Sequence, residues 1–176
     1  MKINVIFGMI AIFGIHTAMA QSESKIASLK VDALEAKAVF MEKDARISSF
    51  FENSAGYVIF PNVGKGGLGV GGAAGTGIVY ANGEEIGVAK MKQLTIGFQA
   101  GGQAYREVIF FESEEDLDRF KENNFEFTAQ VSAVALDKGI SADAMYQEGV
   151  AVFTLSKKGL MYEASVGGQK FDYTSF

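Results

Sequence analysis

The residues with the clearest chemical spacing lie in a run of glycines. Gly64-Lys-Gly66-Gly-Leu-Gly69 and Gly67-Leu-Gly69-Val-Gly-Gly72 both fit GxGxxG, with Glu84 further on where a dinucleotide-binding site keeps its acidic residue. That motif works only if a helix starts at the second glycine and points its free amides at a pyrophosphate. Eight glycines between positions 64 and 77, each unfavourable by about 1 kcal/mol in a helix, leave no helix to do so. A phosphate-binding P-loop fails as well, because Lys65 is followed by Gly66 rather than Ser or Thr. Ser22-Glu-Ser-Lys25 has SxxK spacing but lacks the partner motifs of a Ser/Lys nucleophile. Asp116 and Asp118 begin like a calcium loop, yet Lys121 stands where the loop needs glycine, so they read as a solvated helix face.

Composition narrows the chemistry further. The chain of 176 residues has no Cys, no Trp, one Pro, one His and a net charge of −5. The start, Met1-Lys2, an apolar run from Ile3 to Ile15 and Ala18-Met19-Ala20, has the three parts of an export signal, with cleavage expected after Ala20. Cleavage removes Lys2 and His16, so the mature chain has no histidine and is one unit more acidic. Thiolate and imidazole catalysis, disulfides and Cys or His metal sites go with them. No catalytic residue, metal site or cofactor is expected, and the acidic balance does not point to nucleic acid. The expected location is the periplasm or the medium.

The elements that would position these residues follow from periodicity. Residues 21–55 form an N-terminal helical segment: from Ser24 to Asn53 there is no Gly or Pro, and Ile26, Leu29, Ala33, Ala36, Phe40, Ile47 and Phe51 make one amphipathic face with room for one break. From Gly56 the period falls to two. Tyr57 to Phe60 reads as a short strand closed by Pro61, and Asn82-Gly83 as a type I′ hairpin turn. Ser113 caps a short helix whose first turn is Glu114-Glu-Asp116. Alternation continues through Leu94 to Gly101 and through Phe125 to Ala133, and Val150 to Leu155 with Leu160 to Val166 reads as a hairpin. The predicted fold is α+β: an N-terminal amphipathic helix on a glycine-rich antiparallel sheet or partly closed barrel of six to eight strands, plus one short helix.

In that frame Gly64, Gly66, Gly67, Gly69, Gly71, Gly72, Gly75 and Gly77 are structural. Alternating with Leu68, Val70 and Thr76, they strip side chains from one face of a strand, against which either the protein's own helix or a lipid tail lies. Charge is uneven: residues 56–111 carry Lys65, Lys90, Lys92 and Arg106 against three glutamates, whereas residues 112–143 are strongly acidic. An anionic head group would therefore meet the glycine-rich half.

Ala55-Gly-Tyr-Val-Ile-Phe60-Pro61, Lys65-Gly-Gly-Leu-Gly-Val-Gly-Gly72 and Gly75-Thr-Gly-Ile-Val79 resemble the opening of the SYLF domain. Ile96-Gly-Phe-Gln99-Ala-Gly-Gly-Gln103 with Val108-Ile-Phe-Phe111 is similar to its middle, and Ser156-Lys-Lys-Gly159-Leu160 with Glu163-Ala-Ser-Val166 to its end. The resemblance covers about residues 50–173 and makes residues 56–176 a β-rich SYLF-like domain. It implies a non-enzymatic module that binds anionic lipid, in a family that also holds eukaryotic actin regulators. On this reading the chain is an exported lipid-binding protein of the cell envelope. Its expected partner is an anionic phospholipid or membrane surface, with Lys65, Lys90 and Lys92 for the head group and Phe50 and Phe51 for apolar insertion. The alternative is a structural or interaction module that docks an envelope protein.

Overall fold

A computed structural model describes residues 4–68, 70–96, 103–123, 125–126, 134–135, 146–157 and 168–176. Helix α1 runs from Asn4 to Lys43 and α2 from Ile47 to Asn53. The break lies at 44–46, where the Asp44 carboxylate accepts the Arg46 backbone N–H at 2.9 Å and its guanidinium at 2.6 Å. This local turn replaces the helical ladder.

Seven strands follow: β1 Gly56–Leu68, β2 Val70–Ala81, β3 Glu84–Ile96, β4 Gln103–Phe111, β5 Val134–Ala135, β6 Val150–Ser156 and β7 Gln169–Ser175. Helix α3, Glu114–Lys121, lies between β4 and β5. The sheet order is β5-β6-β4-β1-β2-β3-β7. Six strands pair antiparallel, and the two-residue β5 runs parallel to β6. The sheet is open, with β5 and β7 at its edges, but it curls: Phe60 of β1 meets Phe171 of the edge strand at 5.9 Å between ring centroids. The architecture is the α+β arrangement expected.

Two apolar layers hold it together. On the convex face, Ala33, Ala36 and Phe40 of α1 and Ile47 of α2 bury against Tyr57, Ile59, Ile78, Tyr80, Val108 and Phe110. On the concave face, Val58, Phe60, Val79, Met91, Ile109 and Phe111 pack with Leu117 and Phe120 of α3 and with Phe171. The α3 capping box forms as its sequence requires: the Asp116 backbone N–H reaches Ser113 Oγ, and the Asp116 carboxylate accepts the Ser113 backbone N–H. Asn82 and Gly83 both take positive φ, 52° and 79°, as a type I′ turn needs.

Two local expectations are corrected. Pro61 does not close the strand: β1 continues to Leu68, and its ladders slip between Ile59 and Val63 toward β2 and between Phe60 and Val63 toward β4, an irregularity that accommodates a residue with no N–H to donate. Nor do the glycines form one continuous strand face. The chain reverses between Leu68 and Val70, so they become the tip of the β1–β2 hairpin, with Gly66 opposite Gly72 and Gly67 opposite Gly71. Gly69 lies outside the described residues, as do most of the alternation after Phe125 and the second arm of the expected 150–166 hairpin. The first arm, β6, pairs with β4.

Candidate functional site

The candidate site comes from the way helix α1 crosses a curled sheet. Ala33, Ala36 and Phe40 are buried against the sheet, but one to two turns earlier contact loosens: Leu29 and Ile26 are half-buried and Lys25 is exposed. Beneath this stretch, a cleft of about 500 Å³ is lined by Ile26 and Leu29 on the helix and by Thr76, Val88, Lys90 and Phe176 on the sheet. A second hollow of about 450 Å³ shares Leu29, Thr76 and Lys90 with the first and extends to Ala74, Gly75 and Lys92.

The glycines contribute here in a specific way. A Cβ on Gly77 would lie 2.5 Å from the Ile59 carbonyl oxygen and 2.8 Å from Phe60 Cδ1, so β2 can approach the irregular part of β1 only without a side chain there. At Gly64 the demand disappears, since a Cβ there would meet nothing within 4 Å.

The five residues expected at a lipid site are not brought together. Lys90 pairs with Thr76 and Lys92 with Ala74, which sets both on the convex side at the cleft. Lys90 is exposed, and Lys92 faces Asp172 across the strand pair at 3.7 Å. Lys65 pairs with Ala73, and Ala73 with Gln93, so Lys65 shares the face of Gln93 and lies on the opposite side of the sheet from Lys90 and Lys92. Phe50 and Phe51 are half-buried against aromatic rings: Phe50 is 5.0 Å from Phe153, and Phe51 is 4.8 Å from Phe110. As placed, both rings belong to the α2–sheet contact. The cleft also recruits residues to which the sequence reading gave no site role: Ile26, Leu29, Thr76 and Phe176 for its walls and Lys25 for its rim. No local sequence signal marks them, because their incomplete burial depends on the sheet's curl.

A buried polar group occupies the concave face. Glu107 is fully buried, and its carboxylate accepts one hydrogen bond from Gln169 Nε2 at 3.2 Å. Thr154, its cross-strand neighbour, is also buried. Burial pushes the Glu107 carboxyl up to about 7, opposed only by the Gln169 bond. Burial also raises Tyr105, with the Glu107 charge adding to it. Among the described residues, no three His, Cys, Asp or Glu side chains gather in a metal-binding group.

Comparison with known proteins gives a family and a relative that the chain is similar to. Residues 92–174 match the family model Ysc84, described as "Las17-binding protein actin regulator". Beta cell expansion factor A of Aeromonas veronii is 34% identical over 83 residues, which is 46% of this chain and 32% of that protein. The match therefore spans about a third of the relative's length. The SYLF resemblance read from the sequence is borne out over residues 92–174, from the end of β3 to β7, a range that takes in Lys92 but neither α1 nor the glycine hairpin.

Proposed function

We propose, from the SYLF (Ysc84) domain that the chain carries and from the cleft beneath α1, that this is an exported, non-catalytic protein of the bacterial cell envelope that binds anionic lipid. The observation that carries the proposal is the make-up of the cleft: apolar walls from Ile26, Leu29, Val88 and Phe176, with Lys25, Lys90 and Lys92 at its margins. This arrangement suits an acyl chain whose anionic head stays at the wet edge, where each nearby cation contributes about 1 kcal/mol. Asp32 and Asp172 stand among these lysines and temper the field. Lys90 and Lys92 are therefore the head-group residues. Lys65, on the other face, is their charge-matched control. The actin link in the family's description does not transfer to an exported chain.

Vesicle sedimentation tests the reading. The purified exported protein should pellet with phosphatidylglycerol vesicles and remain in solution with phosphatidylcholine alone. The Lys90→Glu/Lys92→Glu variant should lose pelleting, and Lys65→Glu should retain it. No pelleting of the wild-type protein at low salt would remove the proposal. Retrieval of an envelope protein in its place would favour the interaction-module alternative.

A further inference from the structure

Helix α1 has a second apolar face that the sheet does not use. Ala27, Val31, Leu34, Ala38 and Met41 recur at spacings of four and three and are all exposed, with Val31 at 65%, Leu34 at 56% and Met41 at 39%. The residues buried against the sheet, Ala33, Ala36 and Phe40, occupy the other side of the same turns. The exposed stripe thus has the a/d pattern of a coiled-coil seam, with Val31 and Ala38 at a and Ala27, Leu34 and Met41 at d. β-Branched Val at a with Leu at d is the pairing that favours two parallel strands.

The flanking charges identify the occupant. The g positions before each a are Lys30 and Lys37, and the e positions after Ala27, Leu34 and Met41 are Ser28, Glu35 and Glu42. One flank is therefore positive and the other negative, and each lysine lies five residues before a glutamate. In a parallel pair of identical helices, g of one chain meets e of the next heptad on the other. Lys30 then faces Glu35 of the second copy, and Lys37 faces Glu42. An antiparallel pair would set lysine against lysine and glutamate against glutamate. Three of these side chains are tethered at the flanks by their own sheet: Lys30 to Glu85 at 2.7 Å, Lys37 to the Tyr57 hydroxyl at 3.0 Å and Glu35 to Arg106 at 3.3 Å. A helix made to lie on an anionic membrane would carry cations along both flanks.

We infer that this face of α1 binds a second copy of the same chain, as a parallel, two-fold symmetric helix pair. The seam points away from the sheet, so the lipid cleft on the opposite side of the helix stays open in the dimer.

The chain's lack of cysteine allows a direct test. Met41→Cys places a single thiol at a d position, where the two copies of a parallel dimer bring their residues within disulfide reach. Mild oxidation of the exported protein should give a covalent dimer, and sedimentation velocity of the wild type should show concentration-dependent dimerisation. Leu34→Glu should abolish association with an unchanged circular dichroism spectrum, since the site is exposed. Glu42→Lys and Lys37→Glu should each weaken self-association, and a mixture of the two should restore it as a heterodimer. A monomer at the highest soluble concentration would overturn the inference. So would cross-linking only between Ala27→Cys and Met41→Cys chains, which marks an antiparallel pair. Leu34→Glu that leaves association intact but removes vesicle binding would also overturn it, assigning the stripe to lipid.

Discussion

Gln169 on edge strand β7 donates its side-chain amide to the buried carboxylate of Glu107 on β4, joining residues 62 apart in the chain across the inside of the curled sheet. Among the described residues no charged side chain joins this bond, so the ionised carboxylate is poorly compensated. Its folded-state value is about 7 against an ordinary 4.5. The folded chain therefore holds the proton more tightly than the unfolded one. The resulting stability is fully present below 4.5 and is lost as pH rises through about 7. Thermal melts should show this group favouring the fold by up to about 3 kcal/mol at pH 5 relative to pH 8. Glu107→Gln should flatten that part of the profile and melt higher than wild type at pH 8. A flat wild-type profile between pH 5 and 8 would contradict this.

Gly77 and Gly64 should behave oppositely although both belong to the same glycine run. Gly77→Ala drives a methyl group into the Ile59 carbonyl and should cost about 1–3 kcal/mol. Gly64→Ala enters open space and should change stability by less than about 0.5 kcal/mol. Urea denaturation of the two variants measures the contrast directly.

Lipid binding should depend on salt and on the face of the sheet. If Lys90 and Lys92 each contribute about 1 kcal/mol, reversing both should weaken binding to phosphatidylglycerol vesicles at least ~30-fold, and raised salt should narrow the gap to wild type. Binding constants from vesicle titration at two ionic strengths supply the comparison, and an equal loss in Lys65→Glu would sink the assignment.

Phe40→Ala should separate helix docking from sheet stability. Phe40 is fully buried between α1 and the sheet, so its truncation should cost about 3–5 kcal/mol. Ser113→Ala, at the exposed α3 cap, should cost only about 1 kcal/mol. Melting temperatures of both proteins should fall in that order.

Features set by a few neighbouring residues could be read directly from the chain. The Asn82-Gly83 turn and the Ser113 cap are such cases, because φ preference and a side chain three residues from an amide are local properties. So is the buried face of α1, since helical spacing needs no knowledge of what lies opposite. Glycine alternation through positions 64–77 was misleading for the complementary reason. A strand and a hairpin tip with facing glycines have the same one-dimensional pattern, and only pairing of Gly66 with Gly72 distinguishes them. On β3, Gln93 is buried while Leu94 is 83% exposed, the reverse of what hydropathy alone would choose.

The sequence by itself therefore determined the class of molecule: an α+β chain without cysteine, with glycines that cannot cradle a phosphate and an amphipathic helix ahead of a β-rich domain. These follow from composition and short-range geometry. Tertiary structure decided which lysines share a face, because one irregularity after Phe60 and the reversal between Leu68 and Val70 set the register that places Lys65 opposite Lys90 and Lys92. It also decided where the cleft opens. That depends on the distance between helix α1 and a curled sheet, which no segment of the chain encodes alone.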